Sequence, residues 1–222
     1  MSAKTVYAIH TGPVLVDPIR SLMKELFPEI RLVNVVDDGL LAELREAGRV
    51  TPAVTRRLIG YGMLAAGAGA NVILNCCSSI GEAAELLAQM VEIPVIRIDD
   101  AMASQAVEAG TRIAVVATLA TTLEPTGKLI ARKAANEKRD VSIRSYVVEG
   151  AFDALASGNG SKHDELVNAV IDRAVAENDV VVLAQGSMAR LVAARRIASS
   201  VPVLTSPRAG VESLRRYLQV EG

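Results

Sequence analysis

The amino-acid sequence predicts an α/β protein built from two similar halves, each with a mainly parallel sheet. Short runs rich in Val and Ile alternate along the chain with stretches of helical apolar spacing, which is typical of β-α-β units. Runs such as Val180–Leu183 are apolar at every position, as expected for strands buried on both faces of a parallel sheet. A weak internal repeat indicates that the β-α pattern occurs twice.

The repeat relates segments that lie 106 or 108 residues apart. Asn71–Leu74 and Ile93–Ile96 match Asp179–Val182 and Val201–Leu204 at a spacing of 108, and Thr5–Ile9 resembles Thr111–Val115 at a spacing of 106. We therefore expect a first half of residues 1–98 plus 205–222 and a second half of residues 99–204. A pseudo-two-fold axis between such halves predicts an active site in the cleft between them. Chance similarity of Val- and Ala-rich units is the alternative.

In the first half, helices are predicted where apolar residues recur with a period near 3.6. The helix over Pro18–Leu26 has apolar residues at Ile19, Leu22, Met23 and Leu26. The helix over Pro52–Ala68 begins with a proline, which suits a first helical turn. The remaining predicted elements are strands at Thr5–Ile9, Arg31–Val36, Val72–Asn75 and Pro94–Ile98, and helices at Leu40–Ala47, Gly81–Met90 and Val211–Leu218.

The second half follows the same alternation. The pair Asp99–Asp100 is typical of a helix N-cap, and the segment Ser157–Ser161 predicts a loop. The predicted strands are Arg112–Ala117, Ser142–Val147, Val180–Leu183 and Pro202–Leu204, and the predicted helices are Asp100–Ala109, Thr126–Ala135, Lys162–Glu177 and Ala189–Ile197.

The composition excludes several classes of function. The 222 residues carry 24 Lys and Arg against 25 Asp and Glu, and 3% are aromatic, so the chain lacks the basic face and stacking residues of a nucleic-acid-binding protein. No run of about 20 apolar residues predicts a membrane span. The apolar part of the N-terminus is too short for a secretory signal. The only two cysteines are adjacent and suit a disulfide poorly, so we expect a reducing, cytoplasmic location.

The candidate chemistry lies at Cys76 and Cys77, between the strand Val72–Asn75 and a helix. In open parallel sheets, ligands bind at the carboxyl ends of the strands, and a thiolate there can act as a nucleophile or a carbon base. The hydroxyls of Ser78 and Ser79, with amides at the start of the next helix, would stabilise an anion. Because a buried cysteine is usually a small apolar residue, we assign that role to Cys76 and the chemistry to Cys77.

These residues and two further segments resemble the aspartate/glutamate/hydantoin racemase superfamily. Cys77–Ser79 matches the first family motif, a strand followed by Cys-Asn-Thr, with Cys76 as an alternative in some gapped alignments. Ala117–Thr121 resembles a loop whose hydroxyls bind a substrate carboxylate, and Gly186–Met188 falls on the second motif, usually Gly-Cys-Thr. The resemblance covers nearly the whole chain.

The resemblance implies cofactor-independent chemistry at the α-carbon of a small carboxylic acid or amino acid. It implies that Cys77 is the base or nucleophile and that the protein is a homo-oligomer, either a dimer or larger. It also implies that several residues bind the substrate, namely Thr11, Ser78, Ser79, Thr118, Thr121, Gly186 and Met188.

The resemblance implies that Ser187 is a candidate catalytic residue on the side of the substrate opposite Cys77. Ser187 departs from the family pattern, because it stands where the second family motif has its cysteine. A serine hydroxyl is too weak an acid at neutral pH to mirror a thiol without an activating base. Some members of the superfamily work with one thiol. The symmetrical two-thiol racemase is therefore not supported, and racemisation or isomerisation is the predicted reaction because the family resemblance implies it. The alternatives are one-thiol decarboxylation, maleate-isomerase-like chemistry, a catalytically silent protein that binds a small acid, and a structural oligomerisation domain.

The remaining polar motifs allow fewer conclusions. His10 ends the first strand and is either an acid-base partner of Cys77, since its ordinary pKa lies near neutrality, or a hydrogen-bonded structural residue. His163 is expected to be solvated, and Asp37–Gly39 to form a turn. The pair Arg56–Arg57 is expected at the surface or at a subunit interface. No group of His, Cys and carboxylates has metal-ligand spacing, so no metal is predicted.

Overall fold

A computed structural model describes residues 4–194 and 201–218 of the chain. The described residues divide into two compact units. One lies within Met1–Ile98 and Pro207–Gly222, and the other within Asp99–Ser206. Each unit is an α/β layer structure with one parallel four-stranded sheet, which confirms the predicted fold class. The predicted cleft and pseudo-two-fold axis stay predictions.

The first unit has a sheet in the strand order β2-β1-β3-β4. All neighbouring strands are parallel. The two central strands are fully or largely buried, so their Val, Ile, Leu and Ala side chains build the core on both faces. The strands are β1 (Thr5–His10), β2 (Arg31–Val36), β3 (Val72–Asn75) and β4 (Val95–Arg97).

Helices cover both faces of this sheet. One apolar cluster joins alternate residues of β1 and β3 to the first helix and the C-terminal helices, and a second cluster joins the other alternate residues to the three helices between them. The first layer consists of α1 (Val16–Leu26), α10 (Ser206–Glu212) and α11 (Arg215–Leu218), and the second of α2 (Gly39–Ala47), α3 (Pro52–Gly67) and α4 (Gly81–Ala88).

The second unit repeats this topology. Its parallel sheet has the order β6-β5-β7-β8, and two apolar clusters again lie on opposite faces. The strands are β5 (Arg112–Ala117), β6 (Ser142–Val147), β7 (Val180–Leu183) and β8 (Val203–Thr205). The helices are α5 (Asp100–Ala109), α6 (Ala120–Asn136), α7 (Ala151–Ala156), α8 (Gly160–Glu177) and α9 (Ala189–Ala194).

Differences from the sequence expectation concentrate at proline, glycine and chain ends. Helix α6 begins at Ala120, six residues before the predicted Thr126, and contains Pro125. Helix α7 was not predicted, because six residues are too few to show a helical period. The predicted terminal helix is divided into α10 and α11. The predicted end of α9 at Ile197, and residues 1–3 and 219–222 of the first half, lie outside the described residues.

The described helices include none that is long and apolar enough to cross a membrane.

Two glycines of α3 allow a matched test of packing in the first unit. A Cβ at Gly62 would lie 2.1 Å from a methyl carbon of Leu87, whereas a Cβ at Gly60 would meet nothing within 4 Å. We expect Gly62→Ala to lower the free energy of unfolding by about 1–3 kcal/mol, because it overpacks the contact between α3 and α4. Gly60→Ala should raise it by about 0.5–1 kcal/mol through helix propensity. Urea unfolding of both variants checks this, and equal effects would contradict the close approach of the two helices.

Candidate active site

The strand order places a switch point at the centre of each sheet. In the first unit the chain leaves β1 toward one edge and β3 toward the other, and in the second unit β5 and β7 do the same. Ligands of open α/β sheets bind beyond the carboxyl ends of the strands at such a point. The candidate residues that follow β1, β3, β5 and β7 therefore lie where this sheet topology binds ligands.

The loop after β3 is a 3-10 turn that leads directly into α4. Cys77 has extended backbone angles (φ −136°, ψ 117°) and precedes the turn Ser78–Ile80, whose carbonyl at Ser78 accepts from the amide of Gly81. The side-chain amide of Asn75 donates to the carbonyl oxygen of Cys77 at 2.9 Å, which fixes the backbone at the candidate thiol. We name Cys77–Gly81 the cysteine turn.

The two thiols have different environments. Cys76 is 5% exposed, packs in the same apolar cluster as Leu74, and lies with its Sγ 3.7 Å from the Leu74 carbonyl oxygen. Burial, followed by the nearby charge of Cys77, raises the pKa of the Cys76 thiol far above its ordinary value. Cys77 is half-buried and belongs to the opposite face of the sheet. These facts agree with a packing role for Cys76 and leave Cys77 as the accessible thiol.

The hydroxyl residues of the cysteine turn are buried beside Cys77. Ser78 is 6% exposed and Ser79 is 3% exposed, so both have left bulk water. The turn also opens α4, whose first amides have no partner within the helix. A thiolate or carboxylate would be favoured at this position by the helix dipole and by those amides. Thr11, which follows β1 and is 7% exposed, lies at the same end of the sheet.

His10 lies on the other face of the sheet from Cys77. Side chains two residues apart in a strand share a face, so His10 lies on the same face as Val6 and Ala8, which pack with Cys76. The Nε2 atom of His10 is 2.9 Å from Oδ1 of Asn34. Burial lowers the pKa of His10, so the imidazole is neutral at pH 7. The structure does not bring His10 and Cys77 together. It favours the structural reading of His10 over the expected acid-base role.

In the second unit, Gln185 links the two strands of the switch point. Its side-chain Oε1 accepts from the Thr118 amide at 2.5 Å and from Thr118 Oγ1 at 2.9 Å. Because an amide N–H can only donate, the atom facing Thr118 must be the oxygen. The NH2 group of the half-buried Gln185 is therefore directed away from Thr118. The Thr118 hydroxyl, expected as a substrate donor, already donates to Gln185.

The two units can be compared residue by residue through their hydrogen bonds. The amide of Cys76 donates to Ile9, and the amide of Ala184 donates to Val116, both at 2.9 Å. Each donor follows the last residue of the equivalent strand in the equivalent pairing. Cys76 therefore corresponds to Ala184, and the next residue, Cys77, corresponds to Gln185.

Gln185 has the same local structure as Cys77. It is extended (φ −124°, ψ 128°) and precedes the 3-10 turn Gly186–Met188, and we name Gln185–Ala189 the glutamine turn. Ser187 accordingly corresponds to Ser79. This corrects the expectation that Ser187 stands where the second cysteine would be. The 108-residue spacing of the repeat already pairs Cys77 with Gln185. Matching Gly186–Met188 to the family motif instead placed the counterpart of Cys77 at Ser187, two residues later.

The other predicted substrate residues of the second unit differ in accessibility. Thr121 lies in the first turn of α6, and its Oγ1 is buried without a hydrogen-bond partner among the described residues. Gly186 and Ser187 are half-buried in the glutamine turn. Met188 is completely buried in an apolar cluster with Leu191. Met188 therefore packs as a core residue, and its expected substrate contact stays a prediction.

His163 was expected to be solvated, and the structure shows that this is wrong. The residue is completely buried at the start of α8, with Nδ1 2.8 Å from Asp164 Oδ1 and 3.3 Å from Arg190 Nη2. Arg190 forms ion-paired hydrogen bonds to both carboxylate oxygens of Asp164, and it lowers the pKa of that carboxyl. This cluster ties α8 to α9, which follows the glutamine turn.

Asp37, the first residue of the acidic pair after β2, holds the loop between β2 and α2. Asp37 accepts from the Gly39 amide at 3.1 Å, from Tyr61 Oη at 2.6 Å and from Arg57. Arg57 thus pairs with the β2-α2 loop, and its side chain is 39% exposed, in agreement with the expected surface position. Within residues 4–194 and 201–218, no group of three or more His, Cys, Asp and Glu side chains is arranged to hold a metal ion.

The sequence profile described as Asp/Glu/Hydantoin racemase matches residues 20–214. No curated protein matches the chain significantly in sequence.

Solved structures with the same fold include two amino-acid racemases and a decarboxylase. Glutamate racemase from Francisella tularensis has a TM-score of 0.74 at 11% identity, with 99% of this chain and 82% of that chain covered. Aspartate racemase from Picrophilus torridus has a TM-score of 0.71 at 14% identity, with coverages of 97% and 94%. A mutant of arylmalonate decarboxylase has a TM-score of 0.57 at 19% identity, with coverages of 98% and 94%. These likenesses establish the fold alone.

The burial of Cys76 predicts that the native protein has one reactive thiol. Iodoacetamide at pH 8 should modify Cys77 and leave Cys76 unmodified until the chain unfolds, because burial holds the Cys76 thiol protonated. Peptide mass spectrometry before and after addition of denaturant checks this. Modification of Cys76 in the native state would contradict the assignment.

The same raised pKa predicts a pH dependence of stability. The Cys76 thiol ionises near pH 8.5 in the unfolded chain and at higher pH in the folded one, so the unfolded state binds fewer protons above that pH. The free energy of unfolding should therefore fall as the pH rises above about 8.5, by up to roughly 1.4 kcal/mol per pH unit. Cys76→Ala should lack this fall in the free energy of unfolding. Denaturant titrations of both proteins at several pH values from 7 to 10 measure the difference.

Proposed function

The chain belongs to the Asp/Glu/hydantoin racemase family, and on that premise we propose that it is a cofactor-independent racemase- or isomerase-type enzyme with Cys77 as its reacting thiol. The substrate is a small carboxylic acid or amino acid with an activated α-carbon. The observation that carries the proposal is the half-buried Cys77 at the head of a turn with two buried serines, beyond the sheet's switch point. A reduced thiol suits the cytoplasm as its location.

As a base, the Cys77 thiolate takes the α-proton, and the C–H electron pair moves into the substrate carboxylate to give an enediolate. The cysteine turn supports this step because the serine hydroxyls and the positive end of the α4 dipole lie beside Cys77, where negative charge develops. The S–H bond formed in this step can return its proton only to the same face of the carbon. Inversion therefore requires that water protonates the opposite face, after which the Cys77 thiol releases its proton to solvent. As a nucleophile, the same thiolate adds to an activated double bond, which allows rotation before the thiolate leaves.

Gln185 limits what the second unit contributes. It holds the position that corresponds to Cys77, and a carboxamide neither accepts nor releases a proton near neutral pH. Its NH2 group can donate hydrogen bonds to a substrate carboxylate or carbonyl. A symmetrical exchange of protons between two thiols is therefore not part of this proposal.

Decarboxylation is the second candidate, and the replacement of the second thiol by Gln185 favours it. Loss of carbon dioxide from an α-carboxylate leaves a carbanion that needs one proton, and a single thiol can supply it. The similarity in fold to arylmalonate decarboxylase is consistent with this candidate. Release of carbon dioxide from substituted malonates would select it over racemisation.

Replacement of the thiol tests the proposal. Cys77→Ser should lower turnover by roughly a thousandfold or more, because the hydroxyl is neither a comparable base nor a comparable nucleophile. Proton NMR in heavy water measures α-deuteration of a panel of small amino, hydroxy and aryl acids, and the same panel with maleate reports isomerisation. Cys76→Ala is the matched control and should retain activity.

Full activity of Cys77→Ser would reject the thiol mechanism. The absence of any exchange, isomerisation or decarboxylation in the wild type, together with saturable binding of a small acid, would identify a silent binding protein instead.

The register between the units predicts which position can accept a second thiol. Gln185→Cys should bring racemisation of an exchangeable amino acid, at a rate at least tenfold above that of the wild type, because it places a proton-exchanging group at the counterpart of Cys77. Ser187→Cys, two residues away, is the matched control and should not. Chiral chromatography measures the product. Racemisation by Ser187→Cys alone would restore the original assignment of Ser187.

A further inference from the structure

A buried arginine lies at the carboxyl end of β4 in the first unit. The side chain of Arg97 is 5% exposed, and its Nη1 donates to Glu85 Oε1 of α4 at 2.6 Å. The Glu85 side chain is 40% exposed. Arg97 is also the only Lys or Arg between Arg57 and Arg112. It is therefore the single cationic side chain in the stretch that contains the cysteine turn.

Gly81 provides the space for this guanidinium. A Cβ at Gly81 would lie 2.2 Å from Cζ and 2.5 Å from Nε of Arg97. The φ of Gly81 is −58°, so its backbone is ordinary helix and needs no glycine for conformational reasons. A glycine is needed at position 81 because any larger residue would collide with the guanidinium of Arg97. The positive group thus lies against the backbone of the residue that closes the cysteine turn and opens α4.

Strand register places Arg97 on the same face as the cysteine turn. Arg97 lies directly opposite Asn75 on β3, and the Asn75 side chain donates to the Cys77 carbonyl oxygen. Partners in a parallel pair extend their side chains to the same side of the sheet. Arg97, Asn75 and Cys77 consequently belong to one corner of the first unit.

A cation at this position is unfavourable in the absence of an anion. The amino-terminal end of a helix is already electropositive, so a guanidinium beside the start of α4 opposes the helix dipole. Burial of the charge adds a desolvation cost, and the pairing with Glu85, which is 40% exposed, lowers that cost. Both costs fall when a negative group, such as the Cys77 thiolate or a substrate carboxylate, occupies the turn.

We propose that Arg97 is a positioning residue that supplies positive potential to the cysteine turn through the backbone of Gly81, and so recruits carboxylate substrates to Cys77. This rests on the proposed role of Cys77 as the reacting thiol. Glu85 moderates the potential by pairing with the same guanidinium.

Two alkylating reagents distinguish the effect of the local positive potential from the general reactivity of the Cys77 thiol. Iodoacetate and iodoacetamide form the same type of C–S bond with a thiolate and release iodide, but iodoacetate is a small carboxylate with an activated α-carbon and iodoacetamide is neutral. The ratio of their rate constants at Cys77 reports the local potential, since the thiolate fraction affects both equally. Site-resolved mass spectrometry gives both rates on the full chain.

Removal of the charge should lower this ratio. Arg97→Met should reduce the iodoacetate-to-iodoacetamide ratio about three- to tenfold, because the positive charge near the turn is lost. Arg97→Lys should keep the ratio within about twofold of the wild type, and Glu85→Gln should raise it about twofold or more by removing the counter-ion. Arg208→Met is the matched control, because Arg208 pairs with Glu25 and Glu212 on an exposed part of the same unit. It should leave the ratio unchanged.

The outcomes distinguish this inference from the proposed function. If both reagents modify Cys77 but the ratio is the same in Arg97→Met and wild type, the role of Arg97 is rejected and Cys77 stands. If neither reagent modifies Cys77, the proposed function is rejected, and the role of Arg97 is rejected with it. If Arg97→Met does not fold, Glu85→Gln decides, because an unchanged ratio in that variant also rejects the inference. A loss of ratio in Arg97→Met that Arg97→Lys rescues supports it.

Discussion

The register of the two central strands in each sheet is the constraint on which the candidate site depends. Side chains alternate between the faces of a strand, so a shift of one residue would exchange the two faces. With Ile9 opposite Asn75, Cys76 falls on the face that packs with α1, and Cys77 falls on the face of α4. The same rule separates His10 from Cys77. The pairing of the backbones of β1 and β3 therefore determines which of the two thiols is accessible.

The equivalent register in the second unit makes the two turns chemically different. Two turns with matching backbone angles present a thiol at Cys77 in one unit and a carboxamide at Gln185 in the other. The carboxamide is held by Thr118 through both the backbone and the hydroxyl, so its orientation is fixed before any ligand arrives. A pre-oriented donor lowers the ordering cost of binding but contributes no proton. Reactions that need one thiol are consistent with this pair of turns, and a symmetrical two-thiol exchange is not.

The sequence predicts most of the fold because its signal is local. Apolar runs of Val and Ile mark the strands, and the alternation with helices implies parallel sheets. Prediction from the sequence fails where the pattern is short or depends on residues that are far apart along the chain. Helix α7 spans six residues, and the start of α6 is hidden by Pro125. His163 is buried and contacts Arg190, which is 27 residues away along the chain. Letter matching to a motif placed Ser187 at the second-thiol position, whereas hydrogen bonds between strands place Gln185 there.

Two buried polar atoms without a hydrogen-bond partner lie near residues of the candidate site. Among the described residues, buried side-chain atoms without a hydrogen-bond partner include Asn75 Oδ1 at the end of β3 and Thr121 Oγ1 in the first turn of α6. An unpaired buried polar atom costs about 1–3 kcal/mol unless water or a ligand satisfies it. Asn75 uses its amide nitrogen to hold Cys77, which leaves its oxygen available at the same corner. An apolar residue at Asn75 would avoid that cost, and it would also release the backbone of the candidate thiol. The polar residue is therefore better explained by the geometry of the cysteine turn than by stability of the core.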